Sequence, residues 1–278
     1  MKEYRVIGMR YDMPYAEARD RFIRLANYLS LPEDNINTTL FVLKIEYGGD
    51  SYKSIKAAAE KFGFEAYEHT YKMEYTAKEL SEANFFEVTF RIYGREDYTE
   101  SYQTEYSDFY CESCNTHQLV PEGEIYINKT EFREKDIAVS LKMNNEIIVS
   151  DKMKGLIESA GLTGVEFFPA HHYNNRSKNN YPVWRMGVKS VMPPISREMP
   201  VYIMESYCDV CKKHHILPLS YARYMESELL KVSDLNLSCE TYGNGWYGSP
   251  KLIVSRRFYD LIKENKIKGC KFEIVGTV

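Results

Sequence analysis

The chain has 278 residues, a length that suits one large domain or two domains of ordinary size. Its 44% of hydrophobic and 27% of charged residues exclude long disordered stretches, and its formal net charge of −4 excludes a general attraction to nucleic acid or to anionic membranes. No run of about 18 apolar residues predicts a membrane-spanning helix, and the first residues lack the apolar segment of a signal peptide, so we expect a cytoplasmic protein.

The first hundred residues alternate between strand and helix periodicity, which predicts an N-terminal α/β region over residues 1–100. Asp50 or Ser51 is expected to cap the second helix, and Gly63 to end it. The predicted elements, in chain order, are a strand over Tyr4–Met9, a helix over 15–29, a strand over Thr39–Tyr47, a helix over 52–62, a short helix over Ala77–Ala83 and a strand over Phe85–Tyr93.

Beyond residue 100 the chain repeats itself. A Cys-x-x-Cys knuckle, Tyr110–Pro121, aligns without a gap with Tyr207–Pro218, and the two share the Tyr, both Cys, a His and the Pro. A later segment, Ile147–Phe167, aligns without a gap with Leu252–Phe272. Because the two matches occur in the same order, we interpret them as duplication of one module. The second copy is the longer one, and we assign its insertion to Tyr242–Gly248.

Each copy is predicted to contain a Cys-x-x-Cys knuckle followed by a strand, a helix and a strand, over residues 101–175 and 176–278. Ser150 and Ser255 stand where the N-caps of the two helices are expected. We therefore predict an α+β protein, in which an N-terminal α/β region is followed by two copies of this module.

The cysteines of the two knuckles are candidate metal ligands: Cys111, Cys114, Cys208 and Cys211. In a long chain without a signal segment, paired Cys-x-x-Cys motifs indicate a metal site before they indicate disulfides. A zinc ribbon is built from two such turns, whose four sulfurs meet at tetrahedral positions. We therefore predict one zinc ion bound by four thiolates, which would join the first copy to the second.

Two alternatives to the four-thiolate site stay open at this point. His117 or His214, each three residues after the second Cys of its knuckle, could take part in a mixed site, or the thiols could be reduced and free of metal. With four protein thiolates the zinc would have no open position, so it would be structural and not catalytic. The sequence also lacks the common catalytic and nucleotide-binding motifs, and we expect no enzyme.

Two segments are candidate partner-binding surfaces. The alternative for the first is a solvated strand and turn, and the alternative for the second is a Trp that only packs against the protein. Residues 95–112 combine acidic and aromatic side chains with a single Arg, and such a surface can cover a basic active site by imitating the charge of a nucleic acid. Trp246 and Tyr247 stand among glycines in the inserted segment. The candidates in the acidic segment are Glu96, Asp97, Tyr98, Glu100, Tyr102, Glu105, Tyr106 and Asp108.

The two Cys-x-x-Cys motifs, each followed by a strand, a helix and a strand ending in Gly-x-x-Phe, resemble the bacterial double Cys-x-x-Cys family and the related immunity proteins of polymorphic toxin systems. The resemblance covers roughly residues 76–278. In that family a Gly usually follows the second Cys, where this chain has Asn115 and Lys212. The resemblance implies a cytoplasmic protein that neutralises a cognate toxin of the same cell through protein–protein contact.

A nucleic-acid-binding zinc-ribbon protein is the alternative function from a different class. The only local support for it is a group of basic residues, Arg176, Lys178, Arg185 and Lys189. Because the chain is acidic as a whole, we do not expect nucleic acid to be the partner.

Overall fold

The computed structural model describes residues 2–90, 92–93, 105–122, 125–127, 135–140, 146–172, 182–196, 202–218, 222–242 and 248–278. It contains both helices and strands, which confirms the α+β class. The chain divides into two compact units, Met1–Glu82 and Ala83–Val278. The boundaries predicted near residues 100 and 175 lie outside the described residues. Within the part of the chain described, no helix is both long and apolar enough to cross a membrane.

The first unit is a small antiparallel sheet with helices packed on it. Its strands lie in the order β2-β3-β1-β4. The elements are β1 (Lys2–Arg10), α1 (Tyr15–Tyr28), a 3₁₀ turn (Glu33–Asn35), β2 (Ile36–Asn37), β3 (Val42–Glu46), α2 (Asp50–Lys61), β4 (Glu65–Glu74) and α3 (Ala77–Glu82).

The core of this unit forms where the apolar stripes of α1 and α2 meet the sheet. Phe22 and Leu25 from α1, Ala59 from α2 and Leu43 from β3 are fully buried in one cluster. Residues three and four apart lie on the same face of a helix, so periodicity alone was sufficient to predict both helices.

The start of α2 differs from the prediction. Gly49 occupies its N-cap position and no side chain caps the helix, so the predicted capping role of Asp50 or Ser51 is wrong. The Ser51 hydroxyl instead donates to the carbonyl oxygen of Leu29, at 3.2 Å. Gly63 follows the helix in the left-handed region, with a φ of 82°, as predicted.

The second unit holds both knuckles. Its helices are α4 (Asp151–Ser159), α5 (Glu226–Leu229) and α6 (Arg256–Glu264). Its strands are β5 (Phe85–Phe90), β6 (Ile92–Tyr93), β7 (Glu105–Cys111), β8 (Thr116–Glu122), β9 (Ile125–Ile127), β10 (Ile137–Ser140), β11 (Glu146–Ser150), β12 (Val165–His172), β13 (Val183–Val188), β14 (Ser190–Val191), β15 (Tyr202–Tyr207), β16 (His214–Pro218), β17 (Arg223–Tyr224), β18 (Leu235–Leu237), β19 (Thr241–Tyr242), β20 (Leu252–Ser255), β21 (Cys270–Ile274) and β22 (Gly276–Thr277).

Among the described residues, two larger sheets form the body of this unit. One has the strand order β6-β10-β11-β13-β12-β9, and the other has the order β14-β18-β20-β5-β21. The knuckles lie on smaller sheets: β7 pairs with β8, and β15 pairs with β16, which also contacts β19. A short pair, β17 with β22, completes the unit.

Each larger sheet contains a group of four strands with the same order and the same register, β10-β11-β13-β12 in one and β18-β20-β5-β21 in the other. Ile148 of β11 lies opposite Arg185 of β13, and Ile253 of β20 lies opposite Glu87 of β5. The central strands come from unexpected places in the chain. Strand β5 precedes the first knuckle but pairs with β20 and β21, which follow the second knuckle. Sequence periodicity predicted these strands but not their neighbours.

The helices that follow β11 and β20 begin with the same serine–aspartate contact. Ser150 Oγ donates to Asp136 Oδ1 at 3.2 Å, and Ser255 Oγ donates to Asp234 Oδ1 at 2.7 Å. Ser150 also caps α4 as predicted, because its Oγ accepts the backbone N–H of Met153 at 3.1 Å. Ser255 holds the N-cap position of α6, as predicted, but it makes no capping hydrogen bond, and its hydroxyl donates to Asp234 instead.

Two matched glycines bring the two groups of strands into reciprocal contact. Gly164, just before β12, lies so close to Leu235 of β18 that a Cβ would overlap its carbonyl oxygen. Gly269, just before β21, approaches the carbonyl oxygen of Ile137 in β10 in the same way. Both have positive φ, 87° and 108°, which L side chains rarely adopt. Each group of strands therefore supplies one glycine that packs against the other group.

Candidate metal centre

The first knuckle is the turn of the β7–β8 hairpin. Cys111 ends β7, and the chain turns through Cys114 and Asn115 before β8 begins at Thr116. Asn115 has a φ of 55°, in the left-handed region, and its Oδ1 accepts the hydroxyl of Tyr110 at 2.8 Å. Asn tolerates this conformation better than most residues because its short polar side chain can hydrogen-bond locally. The side chain therefore holds the turn that presents both sulfurs.

The second knuckle has the same backbone geometry in the β15–β16 hairpin. The N–H of Lys212 donates to the carbonyl oxygen of Cys208 at 2.8 Å. The N–H of Cys208 donates to the carbonyl oxygen of Lys213 at 3.0 Å. Lys212 has a φ of 57°. This residue follows Cys211 as Asn115 follows Cys114, so both knuckles need a left-handed residue at the same position. A Gly would adopt that conformation without steric cost.

The four predicted cysteines come together in one cluster. Cys111 Sγ lies 3.6 Å from Cys208 Sγ, and Cys114 Sγ lies 3.6 Å from Cys211 Sγ. All four sulfurs lie within 4.8 Å of one another. A disulfide needs sulfurs about 2.05 Å apart, so these are separate thiols. Four sulfurs around a zinc ion at about 2.3 Å would lie about 3.8 Å from each other, so the cluster has the size of a tetrahedral metal site.

The cluster is sheltered from solvent unevenly. Cys111 and Cys208 are buried, and Cys114 and Cys211 are partly exposed. A hydrogen bond from the backbone N–H of Cys211 lowers the pKa of the Cys208 thiol to about 6. Burial raises the pKa of Cys211 to about 12. Thiolates packed this closely repel one another, so a cation is needed for all four to be ionised together.

Thr116 and His215 form a second layer of contacts behind Cys114. Thr116 Oγ1 lies 3.0 Å from Cys114 Sγ and 3.2 Å from His215 Nε2. Both side chains are buried. Burial raises the pKa of the Cys114 thiol, but the hydrogen bonds from Thr116 lower it below its usual value. When Cys114 is a thiolate, the Thr116 hydroxyl can donate to the sulfur while it accepts the N–H of His215.

Sequence reasoning missed both residues of this layer. Comparison of the copies pointed to His214, which aligns with His117, whereas Thr116 aligns with Lys213 and so carries no repeat signal. Neighbouring residues of a strand point to opposite faces, so only one of His214 and His215 could face the cysteines. The ring of His214 lies near that of Tyr207, and it is not one of the groups in the cluster. The side chain of His117 lies outside the described residues.

The candidate partner-binding residues lie mostly outside the described part of the chain. This holds for Trp246 and Tyr247, and for a group in the acidic segment, Glu96, Asp97, Tyr98, Glu100 and Tyr102. The backbones of Glu105, Tyr106 and Asp108 belong to β7 and pair with β8, but their side chains are not described.

The basic residues that favoured nucleic acid are partly neutralised. Arg185 Nε lies 3.1 Å from Glu146 Oε2, and Lys189 forms an ion pair with Glu166. Arg176 and Lys178 lie outside the described residues. A cation already paired with a carboxylate attracts a phosphate less, so these contacts weaken the case for a nucleic-acid surface.

No family model matches this chain, and no curated protein matches its sequence. The likeness to the double Cys-x-x-Cys family therefore depends on the residues of the knuckles and the segments that follow them.

Proposed function

We propose that Cys111, Cys114, Cys208 and Cys211 bind one structural zinc ion. The observation that carries the proposal is the approach of all four sulfurs to within 4.8 Å of one another, from two hairpins 97 residues apart. Tetrahedral sites with four sulfurs take zinc or iron, and zinc requires no redox partner. Four thiolates leave the metal no open position, so its role would be to join the two hairpins.

We further infer that the second unit consists of two copies of one module, each with a knuckle and four strands of the larger sheets. The matching registers of the strand groups and the matched serine–aspartate contacts support this. So do the left-handed residues Asn115 and Lys212, which occupy the same position of the two knuckles. In this arrangement the zinc would hold one copy to the other.

The surface around the knuckles supports a role in binding a protein. Phe109 is 45% exposed and Tyr110 is 50% exposed at the end of β7, and Tyr207 is 54% exposed at the end of β15. Val210, inside the second knuckle, is 70% exposed. Exposed aromatic residues grouped on a rigid support are typical of protein-binding surfaces. The acidic and aromatic composition of the segment that precedes Phe109 in the chain also suits a protein-binding surface.

We propose that the protein is a binding protein of the immunity type, which neutralises a cognate toxin by covering it. The proposal combines the resemblance of the paired knuckles with the exposed rings beside them. A protein that neutralises a toxin by covering it does not need to catalyse a reaction. This agrees with a metal site that has no open coordination position. The zinc would keep the two aromatic hairpin ends in a fixed arrangement for the partner.

Metal analysis of the purified full chain tests the zinc site. We expect close to one zinc per chain and a colourless protein. A red protein containing iron, or a protein without metal, would contradict the proposal. Cys208→Ser should lose the metal, whereas Cys239→Ser should keep it, because Cys239 is exposed and lies outside the cluster.

A growth assay tests the immunity role. The product of the reading frame next to the gene is expressed alone and together with this protein. We expect growth arrest in the first case and growth in the second. Replacing Phe109 and Tyr207 by Ala should reduce protection, whereas Tyr28→Ala, at a tyrosine 55% exposed in the first unit, should not. Absence of toxicity, or protection that does not require contact between the two proteins, would overturn the proposal.

A further inference from the structure

The two larger sheets of the second unit exchange one strand each. Strand β5 precedes the first knuckle in the chain, but it lies between β20 and β21, which follow the second knuckle. Strand β13 precedes the second knuckle, but it lies between β11 and β12, which follow the first. We call β5 and β13 the donor strands, and the strands on either side of each donor its acceptor strands. Each donor strand therefore completes the sheet that belongs to the other knuckle.

The donor strands occupy equivalent places among their acceptor strands. Val88 of β5 lies opposite Leu252 of β20, and Met186 of β13 lies opposite Ile147 of β11. Ile147 and Leu252 are the first residues of the two aligned segments, so the two registers are the same. The backbone hydrogen bonds of a strand do not depend on its side chains, so the ladder alone would let either donor strand enter either place.

The helices that follow β11 and β20 bind the beginnings of the donor strands in the same way. The N–H of Arg256, the first residue of α6, donates to the carbonyl oxygen of Asn84 at 2.7 Å, just before β5. The N–H of Asp151, the first residue of α4, donates to the carbonyl oxygen of Pro182 at 3.3 Å, just before β13. These backbone contacts also fit both donor strands, so any choice between the strands depends on side chains.

Two ion pairs of opposite polarity join the donor strands to their acceptors. Lys251 Nζ lies 2.6 Å from Glu87 Oε1 of β5, and Glu146 Oε2 lies 3.1 Å from Arg185 Nε of β13. Glu87 and Arg185 occupy the same position of the donor strands, and Glu146 and Lys251 each directly precede an aligned segment. At most 25% of each of these four side chains is exposed, so water and salt screen the pairs weakly.

A second contact also differs between the two donor strands. The indole Nε1 of Trp184 in β13 donates to Asp151 Oδ1 at 2.9 Å. Phe86 holds the same position in β5, and the centre of its ring lies 4.9 Å from the guanidinium carbon of Arg256. The carboxylate thus faces a hydrogen-bond donor, whereas the cation faces an aromatic ring. A Phe in the place of Trp184 would leave Asp151 without this hydrogen bond.

Placing each donor strand in the other sheet would bring like charges together. Glu87 would then lie beside Glu146, and Arg185 beside Lys251. Like charges in contact across an interface oppose its formation and are a source of specificity. Glu273 lies opposite Glu87 in β21, but a lysine 3.3 Å away in the same strand offsets its charge. The charges therefore favour the observed exchange over an arrangement in which each knuckle keeps the strand that precedes it.

We propose that charge directs this exchange, so that the second unit is a reciprocal complex of two half-chains that recognise each other and not themselves. The first half-chain ends with β12 and carries Glu87 and Glu146, and the second begins before β13 and carries Arg185 and Lys251. Two first half-chains would meet with two carboxylates in each contact, and two second half-chains with two cations. The partner of each acceptor is thus an extended strand of opposite charge. This recognition rests on the two-copy arrangement proposed above, and it needs neither the zinc ion nor a toxin.

A cut form of the full chain tests the exchanged arrangement. A site for a sequence-specific protease is inserted between β12 and β13, and the cut protein is held on a resin by a tag at its N-terminus. We expect the second half-chain to stay bound after cutting, with or without a chelator, because each half-chain still completes a sheet of the other. Its release on cutting would contradict the exchanged arrangement itself. Release by the chelator alone would contradict the proposal in another way, because a metal ion and not the donor strands would then hold the half-chains together.

Charge reversal tests the recognition, and the measurement is the urea concentration that releases half of the second half-chain. Glu146→Lys sets a lysine beside Arg185 and should lower this concentration by about 1 M or more. Adding Arg185→Glu restores an ion pair of reversed polarity and should recover most of the loss. Glu158→Lys is the matched control, because Glu158 belongs to the same half-chain but pairs with Lys154 within α4, at 2.9 Å, and it should shift the concentration far less. Equal release of Glu146→Lys and wild type, or no recovery in the double variant, would overturn recognition by charge and leave the exchanged arrangement in place.

Discussion

Asn115 and Lys212 share one backbone conformation, with φ of 55° and 57°, each directly after the second Cys of its knuckle. The two residues differ in how they meet this requirement. The side chain of Asn115 accepts a hydrogen bond from Tyr110, whereas the side chain of Lys212 lies 3.9 Å from the carboxylate of the exposed Asp209. Such an exposed ion pair adds little to stability. Side-chain contacts therefore offset less of the steric cost of the left-handed conformation at Lys212 than at Asn115.

Lys212→Gly should stabilise the metal-loaded protein by about 0.5–1 kcal/mol, because relief of the left-handed strain exceeds the added entropy of the unfolded chain. Asn115→Gly should bring no gain, because it loses the bond from Tyr110. Denaturant unfolding measures both. Lys213→Gly is the control at a residue without positive φ, and it should destabilise. A loss of stability in Lys212→Gly would show that the backbone strain is not the dominant effect.

Gly164→Ala and Gly269→Ala should each destabilise the second unit by several kcal/mol. In both, the new methyl group would overlap a carbonyl oxygen of the opposite strand group, and the positive φ adds strain. Gly155→Ala is the matched control, since it lies in α4 with nothing within 4 Å of the added Cβ. It should stabilise by about 0.5–1 kcal/mol. Thermal unfolding distinguishes the variants, and similar effects in all three would contradict the reciprocal packing.

Thr116→Val should lower zinc affinity by about 10–100-fold, as loss of a hydrogen bond behind a metal ligand usually does. Val keeps the shape of Thr but cannot donate to Cys114. Competition with a chromogenic chelator measures the affinity. Thr241→Val is the control, because Thr241 is also buried and lies opposite His215 in the neighbouring strand. If the two variants bind zinc equally well, the Thr116 hydroxyl does not support the site.

Removal of the metal should loosen the knuckles and leave the first unit intact. Zinc binding contributes free energy to the folding of the elements that it joins. We therefore expect a chelator to reduce amide-exchange protection in β7, β8, β15 and β16, with α1 and α2 unchanged. Hydrogen exchange followed by mass spectrometry resolves these segments. Equal loss of protection in α1 and the knuckles would mean that the metal effect is not local.

Glu146 should make stability depend on pH in a direction opposite to that of an ordinary paired carboxylate. Burial raises its pKa above the usual value near 4.5, although Arg185 opposes the shift. As pH rises from about 4.5, the unfolded chain releases this proton while the folded chain retains it, so the unfolding free energy falls. Wild type should therefore lose stability relative to Glu146→Gln as the pH rises from 4 to 7. Glu158→Gln controls for loss of an exposed carboxylate, and a constant difference across this range would contradict the prediction.

The sequence was sufficient for features that depend on neighbours a few residues apart. The apolar stripe of α1 and the glycine at the end of α2 follow from helix geometry. The two Cys-x-x-Cys turns are recognisable from the spacing of their cysteines. The four candidate metal ligands could be chosen from the sequence, because each pair of cysteines lies within one such turn. Capping was less predictable, as Ser51 and Ser255 show, because a hydroxyl can bond to a more distant oxygen instead.

Only the tertiary structure decided which strands lie side by side. A run of alternating residues predicts that Phe85–Phe90 forms a strand, but the backbone hydrogen bonds of a strand fit any neighbour, so its pairing with β20 and β21 could not be read from the sequence. The same holds for the contact between Thr116 and His215. Sequence alone determined the local turns and the four cysteines that are the candidate metal ligands. Long-range packing determined how two hairpins that are distant in the chain bring their cysteines into one cluster.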